Sequence, residues 1–299
     1  MTDTATLVSI VLPVYNGARY LAESIQSCLD QTYANWELII VDDASTDDTP
    51  AIIAGFAARD SRVRSLRHET NKRLPATLND GFAQARGAYL TWTSDDNRYR
   101  PEALATLVRT LDAKPDAAFV YAGYDVIDDD GRYVQTNHAQ PPARFIQGYD
   151  AVPCFLYRRA VYEELGGYAD DLFLAEDYEY WLRIYATRHT MLPLPDTLYE
   201  YRRHARSLTD EYRGRTFAAA ERALLRNLPR LAWAGRSARG AAYLHLASLA
   251  TWQGERRRAA NYSLHAAYLL PLRFAGQLLA FTAKRLRGRG ASGSSRHAD

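Results

Sequence analysis

Three acidic pairs stand where apolar chain meets polar chain. They are Asp42–Asp43 after WELIIV, Asp95–Asp96 after AYLTWTS, and Glu176–Asp177 at the head of EDYEYWLRI. Adjacent carboxylates repel, so each pair calls for a cation between them or a turn that separates them. Asp95–Asp96–Asn97 suits a divalent, oxygen-seeking cation that takes its remaining ligands from water and substrate phosphates. Asp43 can accept from the ring N–H of a pyrimidine base, whose imide edge presents one donor between two acceptors. Ser45, Thr46 and Asp47 then close a turn, with Thr46 expected as the N-cap of the next helix. Each pair read singly is also ordinary chemistry, because Asp and Asn close turns and acids favour the positive end of a helix.

The elements that must position these pairs follow from periodicity. Residues 7–13 and 36–42 are short β-branched apolar runs, hence buried strands, and AYLTWT is a third. Between them Leu21, Ile25, Cys28 and Leu29 recur at helical spacing, and TDDTPAIIAGFAARD and ATLNDGFAQAR read as further helices. Alternating strands and helices argue for a largely parallel sheet covered on both faces. Ligands in such sheets bind beyond the carboxyl ends of the strands, so Asp42–Asp43 and Asp95–Asp96 are expected in one cleft. Next come a hairpin over 117–134 with a DDDG turn whose acids are assigned to solvent, and a strand and helix stopped by Gly166–Gly167. EDYEYWLRIYATR is a helix, and a late strand and loop follow. The chain divides into an α/β domain over 1–210, an all-helical region over 211–287 and a disordered tail over 288–299.

Composition narrows the class. An apolar content of 47% and a charged content of 24% describe a globular chain with ample core, and a net charge of +2 gives no case for nucleic acid. Acids gather in the first two-thirds and arginines after residue 200. Two cysteines, Cys28 and Cys154, build neither a disulfide framework nor a zinc site, which points to a reducing cytosol. MTDTATLVSIVLP lacks the basic start of a signal peptide, and no stretch is long enough to span a membrane. Residues 265–290 come nearest, interrupted by Pro271, Arg273 and Gln277, and suit an interfacial helix with a basic tail that attracts an anionic membrane surface.

The segments VSIVLPVYNGARYL through VDDASTDDT, then NDGFAQARGAYLTWTSDDN, then LAEDYEYWLRI occur in one order at domain-scale spacing. In that combination the chain resembles the inverting nucleotide-sugar glycosyltransferases of family 2, with the GT-A fold, over residues 7 to about 208. The resemblance implies a Rossmann-like, mixed and mostly parallel sheet flanked by helices. It implies that Pro13, Val14 and Tyr15 floor the nucleotide base, that Asp43 reads the base, and that Lys72 or, by preference, Arg73 closes over base or phosphates. Asp95 is expected at the ribose or sugar, and Asp96 on a Mn2+ or Mg2+ that bridges the diphosphate. Asn97 stands where some members have a third Asp. Asp177 matches the base that takes the acceptor hydroxyl's proton as that oxygen attacks the anomeric carbon. Glu176 beside it raises the pKa of Asp177 or caps the helix. Tyr201, Arg202 and His204 match a closing loop, in which His204 completes the metal shell or meets the diphosphate.

The family's Gln-x-x-Arg-Trp element is missing, so a single addition is expected rather than polymerisation. The expected donor is a UDP-sugar first and a dTDP-sugar second. The expected acceptor is a hydroxyl of a cell-surface glycan or a lipid-linked glycan, at the cytoplasmic inner face of the plasma membrane, with no nucleic acid involved. A non-catalytic nucleotide-sugar-binding module on the same fold is the alternative, disfavoured because Asp43, Asp96 and Asp177 are all present. A nucleotidyltransferase would need a Gly-rich basic loop, which PVYNGARYL does not supply.

Overall fold

The computed structural model describes residues 5–148, 151–205, 207–208 and 212–270. At its centre lies β1 (Val8–Val14), buried along its whole length between β2 (Trp36–Asp42) and β4 (Tyr89–Trp92), both parallel to it. β3 (Val63–Arg67) continues the parallel half beside β2. Parallel neighbours need long crossovers, and these are α1 (Leu21–Leu29), α2 (Thr49–Ala57) and α3 (Leu74–Ala83). Alternation along the strands divides the core. Ile10, Leu12, Leu38 and Ile40 face α1 and α4 (Ala103–Ala113), while Val11, Ile39 and Val41 face Leu78 and Phe82 of α3. Covered on both faces, these strands read as unbroken apolar runs. α3 lies so close that a Cβ on Gly81 would sit 2.5 Å from a methyl of Val11.

Beyond β4 the sheet becomes mixed. β8 (Phe155–Arg158) is antiparallel to β4 and to β6 (Ala117–Ile127), β9 (Thr190–Arg202) is parallel to β6, and β5 (Arg98–Tyr99) is antiparallel to β9. The order is β3-β2-β1-β4-β8-β6-β9-β5, with β7 (Tyr133–Asn137) paired to β6. The β6–β7 hairpin turns at Gly131, which takes φ 81°, and α5 (Arg159–Leu165) ends at Gly166 with φ 77°. α2 begins at Thr49, three residues after the expected cap, because Pro50 sets its first turn. Thr46 instead donates its backbone N–H to Asn16 Oδ1 at 2.8 Å, and Asp47 accepts from Thr49 N at 3.1 Å.

α6 (Glu176–Ala186) carries the last acidic pair. Against it packs the helical region α7 (Arg213–Asn227), α8 (Gly235–Trp252) and α9 (Arg256–Leu269), joined to the sheet by one continuous core that includes Trp181, Leu224 and Leu246. Asn227 donates to Glu179 at 3.2 Å and Trp233 to the Ala186 carbonyl at 3.0 Å. Both cysteines are buried and free, small apolar fillers in practice. Among the described residues no helix is long and apolar enough to cross a membrane. The expected amphipathic segment beyond Leu270 and the tail over 288–299 lie outside the described residues.

Candidate active site

The carboxyl ends of β1, β2 and β4 open on a cleft of about 1140 Å³. Pro13, Val14, Tyr15, Asp43, Arg73, Asp95, Asp96, Asp177, Tyr201 and His204, all expected there from sequence, line it. Lys72 and Arg202 do not. Lys72 turns away and pairs with Asp80 at 2.9 Å, which leaves Arg73 as the cleft-facing member of its pair. Tyr15 is 51% exposed and so stands at the rim.

Asp43 is buried and heavily engaged. Its Oδ1 meets His68 Nδ1 at 2.7 Å and accepts from Lys72 N at 2.8 Å, and its Oδ2 accepts from Arg73 N at 2.9 Å. A carboxylate oxygen offers two lone pairs, so Oδ2 keeps one for an outside donor. The same bonds hold Arg73 at φ 70°, a strained conformation for a side-chain-bearing residue. Asn16 (φ 53°), Ala44 (φ 65°) and Leu174 (φ 79°) are strained likewise, each at or beside the cleft. Four of the five described non-glycine residues with positive φ therefore gather at this one rim.

Asp95, Asp96 and Asn97, which follow β4, make three different sets of contacts. Asp95 is pressed against Gly17, where a Cβ would fall 1.9 Å from its Oδ2. Burial, and then the neighbouring charge of Asp96, push the Asp95 carboxyl well above its usual range. Asp96 Oδ2 meets His204 Nε2 at 3.0 Å, while its Oδ1 is buried with no hydrogen-bond partner among the described residues. His204 packs on the ring of Tyr20, centroids 5.1 Å apart. Asn97 also reaches the cleft wall, with its side chain tied down. It is buried, and its Oδ1 accepts the backbone N–H of Arg202 at 2.8 Å.

Arg202 is 2% exposed and works as a clamp. It donates to the carbonyls of Asp96 at 3.0 Å and Asp129 at 3.1 Å and to Glu23 at 2.7 Å, with its guanidinium 4.4 Å from the Tyr20 ring centre. The DDDG turn is therefore more than a solvent feature, since Asp129 also takes the Tyr20 hydroxyl and Arg19. Sequence reasoning had Arg202 approaching the site and overlooked its neighbour Arg203, which does line the cleft.

Glu176 and Asp177 open α6 on the opposite side of the motif order. Asp177 Oδ1 accepts from Tyr178 N at 2.6 Å, and Glu176 Oε2 from Leu174 N at 2.8 Å. Burial pushes Asp177 up to about 6. Burial first, and then the charge of Asp177, raise Glu176 further, to about 8. The two carboxyls titrate as a pair, which near neutral pH carries about one negative charge between them. Tyr121, Tyr124, His138 and Arg144 wall the cleft beyond this pair. Tyr121 and Tyr124 are aromatics near a strand end that sequence offers as stacking surfaces for a sugar ring, whereas His138 and Arg144 left no signal because they come from the chain after β7, far from any motif.

The architecture and its cleft define a mixed α/β, GT-A-like protein. A model of glycosyl transferase family 2 matches residues 9–174. The putative glycosyltransferase EpsE of Bacillus subtilis is 33% identical over 216 residues, covering 70% of this chain and 76% of EpsE. The chain belongs to glycosyl transferase family 2. The chain spans less than two thirds of the length of several other curated relatives, and only 20% of an uncharacterised Sinorhizobium fredii protein, y4gI, at 34% identity. Among solved structures, the Pyrobaculum calidifontis mannosyltransferase PcManGT, in complex with GDP-Man and Mn2+, aligns over 95% of this chain and 81% of its own with a TM-score of 0.65 at 20% identity. S. aureus TarS 1–349 in complex with UDP aligns over 87% and 90% with a TM-score of 0.59 at 18% identity. At such identities the likeness is one of fold.

Proposed function

We propose that the chain is an inverting glycosyltransferase that moves one sugar from a nucleoside diphosphate sugar to an acceptor hydroxyl. The observation that carries this reading is Asp177. It is a carboxylate held near neutrality by burial, at a helix start, in the same cleft as the acids that end β4. A general base works best with a pKa near the working pH, and such a group contributes about 10²–10⁴ in rate. Asp177 takes the hydroxyl proton as the oxygen bonds to the anomeric carbon, and Glu176, protonated, keeps a second charge out of the reaction space. Asp43 offers the remaining Oδ2 lone pair to a base N–H, with Arg73 over base or phosphates and Asp95 at the ribose or sugar.

A divalent metal fits the donor set. Asp96 Oδ1 is an orphaned buried oxygen, and His204 stands beside Oδ2. Among the described residues no three His, Cys, Asp or Glu side chains gather into a complete metal site. Asp96 and His204 would therefore share Mn2+ or Mg2+ with the donor's phosphates. Bound there, the metal would neutralise charge on the leaving diphosphate. The donors favoured are UDP-sugars, then dTDP-sugars. GDP-sugars join the panel because PcManGT holds GDP-Man. The acceptor is a glycan or lipid-linked hydroxyl, reached at the cytoplasmic face of the membrane.

Thermal stabilisation across UDP-, dTDP- and GDP-sugars, with and without Mn2+, tests the reading. The expected result is stabilisation by one nucleotide class that needs metal, with little effect of metal alone. Failure of every nucleotide sugar to stabilise the chain, or an equal shift with Mn2+ alone, would overturn it.

A further inference from the structure

The helical region carries charge opposite to that of the domain it packs on. Residues 213–270 hold ten Arg and two Glu, with no Lys or Asp, whereas residues 1–212 hold 21 basic and 32 acidic residues. Glu221 is buried and taken up by Arg258, Tyr262 and Gln253, so Glu255 is the exposed acid of the region's described residues. Three of the four most exposed large apolar side chains among the described residues stand here as well: Tyr268 at 74%, Leu264 at 70% and Trp252 at 61%. Along α9 the exposed residues Arg257, Asn261, Leu264 and Tyr268 recur at helical spacing and so share one face. Arg236 of α8 donates to the Tyr268 carbonyl at 2.9 Å and holds its guanidinium 5.2 Å from that ring's centre. Cation and aromatic are thus fixed side by side.

We infer that the α8–α9 face docks on an anionic phospholipid bilayer. Arginines match the headgroup charge, and Trp, Tyr and Leu side chains suit the boundary between headgroups and acyl chains. A soluble polyanion would satisfy the arginines alone and leave the exposed rings and Leu264 in water. The docking does not depend on donor chemistry. One consequence rests on the proposed transferase function: a docked chain is held at the surface that carries a lipid-linked acceptor.

The test is co-sedimentation of the full chain with vesicles of phosphatidylcholine, or of phosphatidylcholine mixed with phosphatidylglycerol, at low salt. The wild type is expected on the anionic vesicles and not on the neutral ones. Each arginine near an anionic surface strengthens partitioning about fivefold, so the pair Arg256→Ser and Arg257→Ser should weaken it about 25-fold. Leu264→Ser with Tyr268→Ser should weaken it about tenfold. All four side chains are exposed, and unchanged melting temperatures confirm folding. Variants that sediment like wild type would overturn the proposal and move any binding elsewhere in the chain. Equal binding to neutral vesicles, or retention on heparin without vesicle binding, would overturn it too, the latter in favour of a soluble polyanion. Nucleotide-sugar stabilisation is expected to survive in both double variants. If it is missing from the wild type while vesicle binding behaves as expected, the transferase reading falls and the docking stands.

Discussion

Asp177→Asn separates the use of that carboxylate from its cost to the fold. Burial has moved its acidity from 3.8 to about 6. At about 1.4 kcal/mol per tenfold change in proton affinity, that is worth about 3 kcal/mol. The side chain is partly open to the cleft, so solvent reduces the figure to about 1–3 kcal/mol. The native carboxyl binds its proton more tightly than the unfolded one. The penalty is therefore fully present above pH 6, shrinks as pH falls below 6, and vanishes below 3.8. Asn carries no charge and can still accept from Tyr178 N. The variant should be more stable than the wild type by about 1–3 kcal/mol at pH 8 and equal to it near pH 4. Melts in the two buffers should show a gap of about 2–4 °C per kcal/mol at the higher pH only. Sugar transfer should drop by about 10²–10⁴. A variant less stable than wild type at pH 8, or a gap independent of pH, would refute the electrostatic reasoning. Full activity would refute the assignment of the base.

Glu176→Gln replaces a carboxyl that is already protonated near neutral pH, so transfer should stay within a few-fold of wild type. Rate against pH should fall on the acid side of about 6 in both wild type and Glu176→Gln, because Asp177 must be ionised to act. Gly17→Ala drives a methyl into Asp95 Oδ2 at 1.9 Å and Val14 at 2.7 Å. It should cost about 1–3 kcal/mol by denaturant unfolding and weaken donor binding measured by calorimetry.

The parallel half of the fold was legible because its strands are buried on both faces. WELIIVD has no polar interruption, and β2 spans those seven residues. β9 was harder. Pro193 and Pro195 lie inside it and remove ladder donors, yet it pairs with β6 through shifts of register that no local pattern announces. The acidic side chains of the site were legible because their pairs break apolar runs. Their supports were not. The bond from His68 to Asp43 joins residues 25 apart, and the Arg202 contact to Glu23 joins residues 179 apart. Neither partner looks different in sequence from a surface charge. Gly17 stood in plain view, and the approach of Asp95 and Val14 explains why the position takes no side chain.

Asn97 alters how the acidic motif should be spelled. The backbone N–H of Arg202 asks position 97 for an oxygen, at 2.8 Å, and is indifferent to whether that oxygen belongs to an amide or an acid. The third letter of Asp-Asp-Asn is then a fastener between two distant segments of the chain, and an Asp there would serve as the same fastener. Two sequences that differ by this one charge can keep the same clamp on Arg202.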